Sequence, residues 1–141
     1  MRDLERAKEI LVSEDCTCVL CKEGNILTSC ERGVKPLVLW LDEKKDLRSC
    51  SAADKVVGRA TAFLYVLLGA RAVYARVISR PALEVLTSHG IETEYDELTD
   101  NIINRKKDGI CPFEAAVLGI SEPDTAYLAI REKMRQMNIE I

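Results

Sequence analysis

The segment from Asn104 to Glu114 gathers an amide, the cations Arg105, Lys106 and Lys107, an Asp108-Gly109 turn, and Cys111 directly before Pro112. Proline in that place opens a helix, and a thiol at a helix N-terminus ionises more readily than a free one. Cys111 is therefore a candidate catalytic nucleophile, with Asn104, Arg105 and Asp108 beside it to hold a carbonyl or phosphoryl group. Such a nucleophile wants a general base. The only histidine, His89, precedes Gly90 at the end of a helical run, where C-capping accounts for it. The plainer reading of Cys111 is a structural or ligand-facing thiol.

A second grouping is Asp54, Lys55, Arg59, Ser79 and Arg80. If two helices begin near Asp54 and Pro81, their N-termini converge on one cleft, and helix N-termini attract anions. The competing reading is local: Asp54 caps its helix, Lys55 and Arg59 form its wet edge, and Ser79 hydrogen-bonds the next turn. Glu84 and Glu114 also fall near helix starts, where the helix dipole favours a carboxylate with no catalytic task.

A third grouping, Cys16, Cys18, Cys21 and Cys30, tempts a metal assignment. On a strand Cys16 and Cys18 share a face while Cys21 points the other way, and no paired C-x-x-C knuckle is present. Free thiols are expected there, with no metal and no cofactor.

The elements that must position these residues can be read from periodicity. Asp3 to Ser13 places Leu4, Ala7, Ile10 and Leu11 at helical spacing. Cys16–Leu20 and Ile26–Ser29 flank Gly24-Asn25 as a hairpin with a loop of roughly four to six residues. Val34 to Leu41, with Pro36 in its first turn, reads as a short helix, a strand being the alternative. Ala52 to Leu68 is apolar on nearly every face and is expected to be one buried central helix, N-capped by Ser51 or Asp54 and ended by Gly69. Ala72–Ser79 reads as a buried strand, Pro81–Ser88 as a helix, and Ile91–Tyr95 as a short strand parallel to the first if they are neighbours. A polar stretch, a short helix from Cys111-Pro112 and an amphipathic helix over Pro123–Gln136 complete the chain.

With 141 residues, 48% hydrophobic, the chain suits a single domain over 1–141. The net charge of -3 argues against holding nucleic acid by its phosphates, and the run Arg105-Lys106-Lys107 is too short to reverse that. Trp40 and the tyrosines are too scattered to form a stacking platform. No stretch approaches the roughly 20 apolar residues of a membrane span, and the opening residues are charged, unlike a leader peptide. A cytoplasmic protein with reduced cysteines is expected.

The order of elements resembles the zinc-dependent cytidine deaminase superfamily, in which a hairpin precedes a helix carrying His/Cys-x-Glu, then a strand, then a helix opening with Pro-Cys-x-x-Cys. Val56-Val57-Gly58-Arg59-Ala60-Thr61-Ala62-Phe63 is similar to the deaminase run C-A-E-R-T-A-I-F, and Pro81-Ala82-Leu83-Glu84-Val85 matches the second motif. The resemblance puts Val56 at the first zinc ligand, Gly58 at the acid-base glutamate, and Ala82 and Val85 at the two cysteines. Only the proline is kept. A zinc deaminase needs three ligands, an open position for water and a glutamate to move its proton, so that activity is not expected.

The segments Asp54–Ala60, Val77–Ala82, Ile102-Ile103-Asn104-Arg105 and Cys111-Pro112-Phe113-Glu114 resemble the prokaryotic domain of unknown function 1893 family, held to be zinc-free members of that superfamily. This implies an α/β fold of three layers, α-β-α, with a mixed sheet and an N-terminal hairpin. It implies a binding or regulatory module whose partner is a small anionic or nucleotide-like ligand in the former active-site cleft, held by residues among Asp54, Lys55, Arg59, Ser79, Arg80, Asn104, Arg105, Asp108 and Glu114. The alternatives are an enzyme built on Cys111 with Asn104, Arg105 and Asp108, and a structural domain that forms a homo-oligomer through the apolar face of its first helix.

Overall fold

A computed structural model describes residues 2–31, 33–102 and 109–139. The chain opens with helix α1 (Asp3–Ser13), whose Leu4, Ala7 and Leu11 lie on one buried face. The hairpin strands β1 (Cys18–Lys22) and β2 (Asn25–Ser29) follow, paired from Cys18↔Ser29 to Lys22↔Asn25. Their loop is therefore the two residues Glu23 and Gly24, shorter than the sequence suggests. Both have positive φ, 52° and 83°, as a two-residue hairpin turn of matching twist requires. Helix α2 (Lys35–Asp42) carries Pro36 in its first turn.

The largest departure from the sequence reading comes next. Ala52 to Leu68 is not one helix: strand β3 (Ser51–Val57) runs to Gly58, and helix α3 (Arg59–Leu68) starts there. β3 lies mid-sheet, where both faces of its first residues are buried. Those residues therefore show no alternation, and periodicity alone does not distinguish buried strand from buried helix. The expected N-caps fail with it, because Ser51 and Asp54 stand within β3 and the N-cap is Gly58. The stop is as expected: Gly69 adopts φ 79° and ends α3.

Strand β4 (Ala72–Ser79), helix α4 (Arg80–Ser88) and strand β5 (Glu92–Thr99) form a β-α-β unit with β4 and β5 parallel. Pairing with all of β4 extends β5 past Tyr95. Helices α5 (Pro112–Ala116) and α6 (Pro123–Gln136) complete the fold. The mixed sheet has the order β2-β1-β3-β4-β5, antiparallel between β2, β1 and β3 and parallel from β3 to β5.

Alternate strand residues feed two cores. Val19, Cys21, Ala53, Ala72 and Tyr74 pack with Leu4, Ala7 and Leu11 of α1. Cys18, Leu20, Ala52, Val73 and Ala75 belong to the larger core, which is filled by Leu37, Phe63, Leu64, Leu86 and Ile130 from the other helices. Cys16 joins the α1 core and Cys18 the other, so these two thiols do not share a face. Cys16 precedes β1, and the alternation expected of a strand does not reach it. The apolar face of α1, expected to be available for assembly, is covered by the sheet.

Candidate functional site

A cavity of about 410 Å³ opens where the C-terminal half of β3 meets the start of α3, the start of β1 and α5. Asp54, Lys55 and Val56 from β3, Gly58, Ala60 and Thr61 around the start of α3, and Cys111, Phe113 and Glu114 from the α5 region all line it. Thr17, Cys18, Glu31, Gly33, Val34 and Ile102 complete the wall. The strand-to-helix switch at Gly58 creates this space, because the chain turns away from the sheet there.

The inner wall carries a directed hydrogen-bond chain. Tyr65 of α3 donates its hydroxyl proton to Asp54 Oδ2 at 2.7 Å. Its oxygen is then left to accept from the Cys18 thiol at 3.2 Å. Cys18 and Asp54 stand opposite each other in the β1–β3 register, so the antiparallel pairing itself delivers both groups to Tyr65. Asp54 Oδ1 takes a further bond from the Val56 N–H at 3.3 Å. Asp54 lies deep in the molecule and keeps only part of its surface, which faces the cavity. Burial pushes its carboxyl up to about 7, against the opposing pull of the Tyr65 hydroxyl and the nearby Val56 and Lys55 N–H groups, the last of which is bonded to Thr17 O. Burial and the neighbouring Asp54 charge also push Tyr65 and Cys18 well above their ordinary values, so both stay protonated as donors.

The second polar feature is the start of α3. Gly58 supplies no side-chain cap there. The carboxylate of Glu114 reaches across from α5 and accepts from Arg59 N at 2.7 Å and Ala60 N at 2.8 Å. It satisfies two of the N–H groups that every helix start leaves open, at the positive end of the helix dipole. The close approach explains the glycine. A Cβ on residue 58 would lie 2.6 Å from Glu114 Cδ and within 2.8 Å of both oxygens. Arg59 fastens the same joint, donating to Val117 O at 2.5 Å with its guanidinium 5.0 Å from the centre of the Phe63 ring.

Of the residues singled out from sequence, Asp54, Lys55, Cys111 and Glu114 meet at this cavity. Arg59 does not line it and ties α3 to α5 instead. Ser79 is buried and caps α4, accepting from Ala82 N at 3.2 Å, while Arg80 pairs with Asp100 at 2.7 Å. The start of α4 thus contributes nothing to the cavity wall, and the expected convergence of two helix N-termini is absent from the described residues. Asn104, Arg105 and Asp108 lie outside the described residues. His89 is held by Val85 O at 2.8 Å in the C-cap of α4. Sequence reasoning passed over Tyr65, Thr61 and Phe113, and weighed Cys18 only as a metal-ligand candidate. The signal for Tyr65 was available: a tyrosine inside an apolar helix needs a partner for its hydroxyl.

Val56, Gly58, Ala82 and Val85 carry no side-chain donor atom that could hold a metal. Among the described residues no three His, Cys, Asp or Glu side chains gather to hold a metal. No helix among them is long and apolar enough to cross a membrane.

Comparison with known proteins places the chain in a family. A DUF1893 family protein from Thermotoga maritima has a solved structure with a TM-score of 0.81 and 28% identity, the match covering 96% of this chain and 91% of that one. A diaminohydroxyphosphoribosylaminopyrimidine deaminase/5-amino-6-(5-phosphoribosylamino)uracil reductase, also from Thermotoga maritima, is a more distant likeness, with a TM-score of 0.45 and 15% identity over 82% of this chain and 40% of that one. No curated protein matches. The family model for the domain of unknown function DUF1893 matches residues 6–134, and the chain belongs to that family.

Proposed function

We propose that this protein is a small-ligand binding or regulatory module whose ligand occupies the cavity between β1, β3, α3 and α5. The observation that carries this reading is the partly exposed Asp54, desolvated to near neutrality and oriented by Tyr65 on a cavity wall. Retaining a strained carboxyl is costly, and groups of this kind cluster at functional sites. We further read the two helical faces of the sheet as the three-layer, cytidine-deaminase-like arrangement, in a zinc-free form. The ligand can be nucleotide-like in its ring. A phosphate is less well served, since Glu114 already occupies the start of α3.

The test is native mass spectrometry of gently purified protein beside a Val56→Trp variant. Val56 is 46% exposed and lines the cavity, so a tryptophan there blocks the space without disturbing the core. A retained small molecule on the parent protein, absent from the variant, is expected. An adduct equally present on both would place the ligand elsewhere. Elemental analysis of the same sample addresses the metal, and one zinc per chain would contradict the zinc-free reading.

One observation favours the enzyme reading as the runner-up: Cys111 lines the same cavity. Selective alkylation of Cys111 that blocks turnover, and not merely binding, would promote it.

A further inference from the structure

Resting on that cavity being the ligand site, we infer that its ligand is a small organic cation with a planar N–H fork, of the amidinium or guanidinium type, held by Asp54. The charge inventory points this way. Among the described residues, three carboxyl groups, Glu31, Asp54 and Glu114, line the cavity with one cation, Lys55. Lys55 is turned toward Asp15, 3.9 Å away, and among the described residues no Lys or Arg pairs with Asp54.

The hydrogen-bonding capacity left over is equally one-sided. Both Glu114 oxygens accept backbone N–H groups of α3, so the positive helix end that would otherwise receive an anion is filled. The Tyr65 proton goes to Asp54 and its oxygen takes the Cys18 thiol, which leaves Tyr65 with nothing to offer a ligand. Asp54 keeps spare capacity. A carboxylate has about four acceptor sites, and the bonds from Tyr65 and the Val56 N–H use two. What remains is acceptor capacity on two oxygens of one carboxylate, which a planar N–H fork matches in a bidentate pair. Val34, Val56, Ala60, Ile102 and Phe113 give the lining an apolar part that suits a flat organic body.

Such a cation stabilises the ionised form of Asp54, so binding is coupled to its titration. The titratable groups around it are Tyr65 from α3, Cys18 from β1, Lys55 from β3, Glu114 and Cys111 from the α5 region and Glu31 after β2. With Asp54 titrating near 7, affinity should fall by roughly tenfold or more between pH 8 and pH 5.5.

The probes are benzamidine, benzamide and benzoate, which keep one ring and change the head group from cation to neutral donor to anion. Calorimetric titration of the full chain should rank benzamidine first, with the pH dependence above, and Asp54→Asn should lose at least about tenfold of that affinity. Tyr65→Phe, which keeps the carboxylate and removes its orienting donor, provides a second variant should Asp54→Asn misfold, and should weaken benzamidine by several-fold. Benzoate binding as tightly as benzamidine, or benzamidine binding that ignores pH and both variants, overturns the inference and leaves the cavity reading standing. Benzamidine bound unchanged by Val56→Trp overturns the cavity reading itself.

Discussion

Replacing Gly58 with alanine separates the close approach of Glu114 from every other feature of the α3 start. The backbone at Gly58, φ -97° and ψ 179°, is extended and open to any residue, so alanine meets no backbone strain. Its Cβ would stand 2.6 Å from Glu114 Cδ, far inside the ordinary non-bonded carbon separation of about 3.5–4.0 Å. The carboxylate must withdraw, and the N–H groups of Arg59 and Ala60 lose their acceptor. Loss of a helix cap costs about 0.5–2 kcal/mol, and loss of a carboxylate from the dipole's positive end about 0.3–1 kcal/mol more. Gly58→Ala should therefore cost about 2 kcal/mol, roughly 7 °C in melting temperature for a domain of this size. Glu114→Ala should cost a similar amount by removing the same bonds. The double variant should cost about 2 kcal/mol rather than the additive ~4, because with no carboxylate present the three closest clashes of the new methyl are gone. Urea denaturation of the four proteins gives this cycle. If Gly58→Ala costs the same with and without Glu114, the explanation of the glycine is wrong.

Three further outcomes are expected. Asp54 rises from 3.8 to about 7 on folding, so the folded state binds its proton more tightly than the unfolded state and stability falls as pH rises from about 4 to about 7, by an amount on the order of 4 kcal/mol. Asp54→Asn should abolish that slope; urea denaturation in which the variant's advantage does not grow between pH 5 and pH 8 contradicts it. Tyr65→Phe should cost about 1–3 kcal/mol by stranding Asp54 and Cys18, and should raise the Asp54 titration further, readable from its carboxyl carbon NMR shift. Gly69→Ala should cost about 2 kcal/mol in a thermal melt, since φ is 79° and the added Cβ would lie 3.2 Å from Arg48 Cα; an unchanged melting temperature refutes the left-handed stop.

Amphipathic elements were legible in the sequence because one face of each is polar. Leu4, Ala7 and Leu11 of α1 and Ala126, Ile130 and Met134 of α6 announce their helices by spacing alone. β3 was illegible for the opposite reason: Ser51-Ala52-Ala53 is buried on both faces and lacks the alternation of a half-buried strand. The site divides in the same way. Asp54, Lys55, Cys111 and Glu114 were identifiable as residues with chemistry. The partner of Glu114 was not, because it caps a helix that begins 55 residues earlier in the chain. Nor was the Cys18–Tyr65–Asp54 chain, which exists only through the β1–β3 register and the seating of α3 on that face. The anionic ligand expected from sequence assumed an open helix start, and Glu114 fills it.

On the function proposed above, the Asp54 cavity is where this protein meets its ligand. Two-dimensional amide NMR of isotope-labelled protein, titrated with small polar fragments that include the benzamidine series, tests it most directly. Shift changes gathered on Asp54, Thr61, Cys111 and Phe113, and lost in Val56→Trp, are the predicted result. Changes centred on any other surface, or unaffected by Val56→Trp, would contradict it.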